Sequence, residues 1–518
     1  MTPRFVSLRI CAAAAVLAFA AGCTTFSKDG GFGAVSTAAS EQLGKDAVLV
    51  KTDADRDTVA HRTQELLSKP LSVDDAVQIA LLNNRGLQAS YAELGLSEAE
   101  LVQAGRLPNP GFTFSRTRSS NDLSIGRTFS MGILSILTLL LATKVEGRRF
   151  EQTKLETADA VLKVAADARR AYVEAVAAAQ AATYAEQVKD SADAGAELAR
   201  RMRQASSFSR LDYAHEQAFY ADAIAQFANA RQRAVAAREK LTRMMGLWGA
   251  SSAYELPDRL PALPAERPQL DGLERFAMEN RLDIQAAKLR TQGVATSLGL
   301  TRAMRFVNAL DVGYLDNYET DKGHEHGYEI SVEIPLFDWG GAKASYLQSA
   351  NRLAQTAIDA RSEVRESYAA YVTRYDVAKH YRDEVVPLRK TISDEMLLRY
   401  NGMLVSVFEL LADARGQVGT VNGYIDALKD YWLAETDLQQ AVGAKAGMSH
   451  GEIRKVDAAV GKSTIKHGPL ENLGMDAMTM VFRVKDPAMP SQVATGDKID
   501  FVAEEVNGVL TVVKLQKQ

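Results

Sequence analysis

The sequence predicts a mostly helical chain with two β parts: membrane-type strands set between long helices, and a small separate β-domain at the C-terminus. Three observations point to this. From Arg148 to Ala205 there is no proline and only one glycine, Gly195, in an alanine-rich run. Short segments elsewhere alternate apolar and polar residues with a period of two. After Gly447 the helical composition stops and short β-type runs begin.

The opening MTPRFVSLRICAAAAVLAFAAGCTT reads as an export signal, with Arg4 and Arg9 ahead of an apolar run from Ile10 to Phe19 and then small residues. AAGC at 20–23 resembles a bacterial lipobox. That resemblance implies a signal peptide over 1–22, a palmitate-bearing lipid on Cys23 and an anchored segment over 23–70. Thr24 after the cysteine implies sorting to the outer membrane. The two cysteines, Cys11 and Cys23, would then both be spent, so a soft-metal site must use Met and His. A net charge of −4 gives no basic footprint for nucleic acid. No later stretch reaches the roughly 18 uninterrupted apolar residues of a membrane helix, so any membrane crossing would be made by strands.

Pro257, Pro261, Pro264 and Pro268 mark a linker over 256–269 between two similar halves, 71–255 and 270–447. NNRGLQAS (83–90) aligns with NRLDIQAA (280–287), and the same offset aligns ASSFSRLD (205–212) with GMLVSVFE (402–409). This is an internal duplication with a period of about 200 residues, much longer than that of solenoid repeats. Each half runs helix, strands, long helix and returning helix. Helix is expected over 72–105 and 270–304, and the long helices over 148–205 and 342–401. A helix of the first length would span roughly 85 Å at 1.5 Å per residue, too long to bury itself in a globule. Pro387 predicts a kink or break in the second.

In YEISVEIPLF (328–337) Tyr328, Ile330, Val332, Ile334 and Leu336 share one face, and Glu329, Ser331 and Glu333 the other. Leu310, Val312 and Tyr314 alternate likewise, as do Phe112 and Phe114, and Leu123, Ile125, Phe129, Met131 and Ile133. Lipid-facing strands show this period, and so do soluble antiparallel sheets with one wet face. Four strands are predicted, whereas a membrane barrel needs at least about eight, so closure requires several chains. Three copies would supply twelve.

LSVDDAVQIALLNN (71–84), QAGRLPNPGFTFS (103–115), IPLFDWGG (334–341) and RYNGMLVSVFELLADAR (399–415) resemble the TolC family of outer-membrane efflux channels, closest to its lipidated CusC-type members. The resemblance covers roughly 65–447. It implies a homotrimer with a twelve-stranded outer-membrane β-barrel continued by a periplasmic α-barrel of long helices. It also implies a periplasmic adaptor and an inner-membrane RND pump as partners. The tips near 205–212 and 402–409 would form the gate, where threefold symmetry would make rings of Asp212, Glu409 and Asp413. Solvated helix ends carry acids routinely, which is the plainer explanation. The first tip departs from the second, with Ser206 and Ser207 where the second has Asn-Gly-Met.

Residues 449–518 read as five short strands, with Asn507-Gly508 a strong hairpin signal. Five strands in so short a segment suggest a small barrel of OB type. Met478 and Met480, two apart, would leave a strand on one face. Thioethers are soft, neutral donors, and one imidazole added to them gives a set suited to Cu(I) or Ag(I). Methionines on a strand also serve simply as barrel core.

His467, an eight-residue step to position 475, then Ala477-Met478-Thr479-Met480 resemble the periplasmic copper/silver chaperone family of CusF. That resemblance implies His467, Met478 and Met480 as ligands of Cu(I) or Ag(I). Met475 stands where the family has a tryptophan, and as a ligand it would supply a third thioether. His324 and His326, in ETDKGHEHGYE, fall at a predicted hairpin turn that the resemblance places outside the cell. They fit weak capture of a departing ion or a merely polar turn.

No nucleophile–base set, phosphate loop or HExxH is present, so no enzymatic activity is expected. The expectation is a lipid-anchored outer-membrane channel of a tripartite RND-type system exporting Cu(I) or Ag(I), with a fused periplasmic metal-binding module. The alternative is a general drug or solute channel whose tail senses metal or is vestigial.

Overall fold

The computed structural model describes residues 25–517 apart from 119–121, 206, 266, 268–271, 304–306, 308, 335–340, 444–448, 458–460, 468–477, 485–488, 490–492 and 507–508. Cys23, Met475 and the Asn507-Gly508 turn lie outside the described residues.

The first half opens with α1 (Phe32–Leu43) and α2 (Asp53–Leu67). Thr52 and Asp55 close a reciprocal capping box at the start of α2. α3 (Val73–Asn83), capped by Ser72, and α4 (Arg85–Ala104) lead into β1 (Gly111–Arg118) and β2 (Leu123–Gly132). α5 then runs unbroken for 72 residues, Ile133–Gln204, and α6 (Arg210–Met244) returns. The second half repeats the order: α7 (Leu273–Asn280), α8 (Leu282–Ala303), β3 (Ala309–Glu319), β4 (Gly323–Glu333), α9 (Gly341–His380), α10 (Val386–Asn401) and α11 (Val407–Val442).

The duplication holds at single-residue level. The breaks after Asn83 and Asn280, and the N-caps Ser209 and Ser406, fall at the same offset.

Two boundaries differ from expectation. Ile133 begins α5 instead of ending a strand, and α5 starts well before Arg148. Alternation stops at Gly132, and Ile133, Ile136, Leu137, Leu140 and Leu141 then recur at helical spacing. In the second half a five-residue π-turn, Tyr381–Val385, separates α9 from α10, and Pro387 sits in the first turn of α10. Proline has no N–H to donate and crowds the carbonyl four residues back, so the α-helical ladder is interrupted just ahead of it.

The two halves do not fold as separate bodies. One compact unit takes residues 89–159 and 282–358, and the other takes 36–88, 160–281 and 359–518. The first unit contains an antiparallel sheet in the order β1-β2-β3-β4, with β1 and β4 as its edges.

Register puts Phe112, Phe129, Tyr314 and Tyr328 in one row across all four strands. All four are exposed, and the first two rings lie 4.8 Å apart. Met131, Val312 and Ile330, then Leu310 and Val332, continue the same face away from the turns. The opposite face carries Asp311, Glu319, Glu325, Glu329 and Glu333, among Ser and Thr, and none of the strands' Lys or Arg. Strand alternation has thus put the aromatic row and most of the aliphatic side chains on one face and five carboxylates on the other, with Leu315 and Asp316 among the exceptions.

The second unit's helices pack around small side chains. Ala171, Ala175, Ala427, Ala434 and Ala441 are buried beside Tyr172, Tyr371, Tyr375 and Tyr431. Alanine faces bring backbones close, and the tyrosines fill the remaining space: Tyr431 lies 5.7 Å from Tyr371 and 5.8 Å from Tyr375. Tyr172 donates its hydroxyl to the Leu71 carbonyl at 2.9 Å, and burial pushes its pKa up to about 12.

The C-terminal strands are β5 (Ser449–Asp457), β6 (Lys462–His467), β7 (Met478–Val484), β8 (Lys498–Val506) and β9 (Val509–Lys517). They close a barrel in the order β5-β6-β7-β9-β8 around Ile453, Ile465, Phe482, Ile499, Phe501 and Val512. Gly451 is required there, because a Cβ would sit 2.6 Å from Ile465 Cγ2 and 2.9 Å from the Phe501 ring.

Candidate metal site and helix tips

β6 and β7 pair antiparallel, with His467 opposite Met478 and Ile465 opposite Met480. Directly opposed residues share a face, as do residues two apart, so His467, Met478 and Met480 all leave the same side of the ladder. That side is the barrel interior, since Ile465 and Phe482 on it are fully buried. His467 is 3% exposed, with its ring edge-on to Phe482 at 5.5 Å and to Phe501 at 6.4 Å.

The two thioethers differ. Met478 is 43% exposed at the end of the strand, while Met480 packs against the core cluster. β7 meets β9 only through Arg483 and Val484, so its methionine end has a ladder on one side alone among the described residues. A buried imidazole beside two aromatic rings and one exposed thioether thus share one face of the ladder. Among the described residues no group of three or more His, Cys, Asp or Glu side chains is placed to hold a metal ion together. The chemistry of His467, Met478 and Met480 fits a monovalent soft cation: it adds no negative charge and supplies the polarizable sulfur that Cu(I) prefers.

The expected gate residues lie at the starts of the returning helices. Ser209 caps α6, accepting the Asp212 N–H at 3.0 Å, with its hydroxyl 2.7 Å from the Asp212 carboxylate. Ser406 caps α11 in the full reciprocal box, its N–H donating to Glu409 at 2.8 Å. These donors hold the Glu409 carboxyl below its ordinary range. The signal for both was present as S-x-x-D at 209–212 and S-x-x-E at 406–409.

Asp413 is buried and paired with Arg389 at 2.9 Å. Its equivalent in the first half is Glu216, also buried, which accepts from Arg415 at 2.7 Å. The Arg415 guanidinium also lies over the rings of Phe408 and Phe219, at 5.4 and 5.7 Å. Glu216, Arg389 and Arg415 had no distinguishing mark in the sequence. Only their helix positions bring the charges together.

A family model described as outer membrane efflux protein matches residues 76–247, and one described as copper binding periplasmic protein CusF matches residues 446–517. Cobalt-zinc-cadmium resistance protein CzcC of Cupriavidus metallidurans is 27% identical over 300 residues, covering 56% of this chain and 68% of that protein.

Among solved structures, CusC matches with a TM-score of 0.56 at 16% identity, covering 72% of this chain and 92% of its own. VceC from Vibrio cholerae matches with 0.59 at 14%, covering 72% and 96%. The CmeC outer membrane channel of Campylobacter jejuni matches with 0.56 at 14%, covering 79% and 92%. The long-helix and four-strand fold is therefore that of these channel structures.

Proposed function

We propose that this chain, which joins an outer membrane efflux protein domain to a CusF-like copper-binding domain, is the outer-membrane channel of a tripartite system that exports Cu(I) or Ag(I). The observation that carries the metal assignment is the opposition of His467 and Met478 across β6 and β7, with Met480 on the same face. The ion is the cargo, taken up by the tail and handed on. A module tethered to the channel raises the local concentration of loaded donor without tighter binding.

The sheet supports the channel assignment. Its aromatic face suits lipid, and its acidic face suits a lumen that cations traverse. A four-stranded sheet with two edges is completed by identical neighbours, three copies making twelve strands. At the α10–α11 turn Met403 and Leu404 are exposed, which suits docking of an adaptor tip. With Asp413 paired internally, a gate ring falls to Asp212 and Glu409. Cys23 would anchor the chain to the outer membrane. Met475 would add a third thioether.

A second reading follows from CzcC, whose printed name concerns cobalt, zinc and cadmium. That similarity spans 300 residues of the chain. The tail's donors argue against zinc, which ordinarily takes thiolate, carboxylate or several imidazoles.

Expression of the full chain in a host lacking its own copper channel tests the proposal. Copper and silver tolerance should rise with the wild type and fall back with Met478→Ile and Met480→Ile combined. Tolerance gained only to zinc, cobalt and cadmium, unaffected by those substitutions, would overturn it.

A further inference from the structure

His324 and His326 do not lie in the hairpin turn where the sequence puts them. They are on β4, just past the turn. A strand sends residues two apart out on one face, so both imidazoles stand on the aromatic-bearing side. Their ring centroids are 6.3 Å apart and their planes differ by 19°. Opposite them on β3, Tyr318 faces His324 and Asp316 faces His326.

One oxygen organises the pair. Asp316 Oδ1 lies 3.4 Å from His324 Nδ1 and 3.3 Å from His326 Nδ1. The other oxygen of Asp316 accepts from Arg127 Nη1 at 2.9 Å, and the Tyr314 hydroxyl is 3.1 Å from His326 Nδ1. Arg127 therefore fixes the carboxylate from behind while two exposed rings converge in front of it.

The geometry points to a second metal site, in which His324 and His326 form a two-imidazole chelate for a divalent transition ion such as Cu(II), Ni(II) or Zn(II). Imidazole is the borderline donor these ions favour, and it must be neutral to bind. Asp316 acts as the orienting partner, since Arg127 already holds it and opposes a direct bond to a further cation. Water completes the coordination, so the site exchanges readily and is weaker than a closed four-ligand site. It differs in donor class from the thioether tail and stands independently of it.

The test uses the detergent-solubilised full chain carrying His467→Gln, Met478→Ile and Met480→Ile, which silence the tail. Titration with Cu(II) sulfate, read by electron paramagnetic resonance, should give a signal with nitrogen hyperfine structure. His324→Gln and His326→Gln should each weaken binding by more than tenfold, and together abolish that signal. Asp316→Asn should cost about tenfold while leaving nitrogen coordination intact. Unchanged affinity in both histidine variants, or a signal without nitrogen coupling, would overturn the site.

Zn(II) protection of His324 and His326 from diethylpyrocarbonate in the wild-type chain gives a second readout that needs no substitution. Equal modification with and without zinc would count against the site. Loss of Cu(I) binding by the tail alone would leave all these results standing.

Discussion

Arg415 donates to Glu216 at 2.7 Å, tying α11 to α6, and the carboxylate is only 2% exposed. A buried ion pair is weak evidence of net stability, but breaking one partner leaves a charge without its counterion. Arg415→Ala should therefore destabilise the helical unit by about 3 kcal/mol, read as a lowered midpoint of denaturant unfolding. Glu216→Leu with Arg415→Met should recover most of that loss. Equal loss in the double variant would show that packing against Phe219 and Phe408 matters more than the charge.

Met478 and Met480 should separate affinity from stability. Met478→Ile changes an exposed side chain, so Cu(I) affinity should fall in a chelator competition while the unfolding midpoint stays put. Met480→Ile alters a core-packed residue at similar volume, costing less than about 1.5 kcal/mol of stability along with affinity.

Glu409 predicts an acid response. Its folded pKa lies below the ordinary value of 4.5, because the Ser406 N–H and hydroxyl favour the charged form. A group depressed on folding contributes stability that is complete above its unfolded value and is lost as pH falls through the folded one. Hydrogen-exchange protection at the start of α11, taken relative to the intrinsic rate at each pH, should fall as acid protonates Glu409. Glu409→Gln should exchange faster at neutral pH and respond less to acid.

Phe129 sits within the exposed aromatic row. If that row faces lipid as proposed, Phe129→Arg costs up to about 2–4 kcal/mol, depending on depth. The variant should be depleted from the outer-membrane fraction, whereas Thr128→Arg, on the opposite face, should insert normally.

Met403 holds a positive φ of 58° and is 93% exposed. A side chain in that backbone region carries strain that glycine avoids. Met403→Gly should leave stability equal or higher. If metal tolerance nonetheless drops, the thioether or its shape is used in docking at the tip.

The sequence by itself determined the element order, the duplication and the donor types present in the tail. Each of these is written locally: alanine-rich runs make helix, strict alternation makes strands, and residues two apart on β7 share a face in any register. The capping residues at both tips are equally local, with Asp212 and Glu409 each three residues after the serine that caps its helix. The tertiary structure decided what depends on pairing between distant segments. It set His467 against Met478, aligned four aromatics from four strands into one row, matched Glu216 with Arg415, and turned His324 and His326 into neighbours converging on Asp316. Periodicity fixes which face a side chain takes, but only strand register and helix packing fix which side chain it meets.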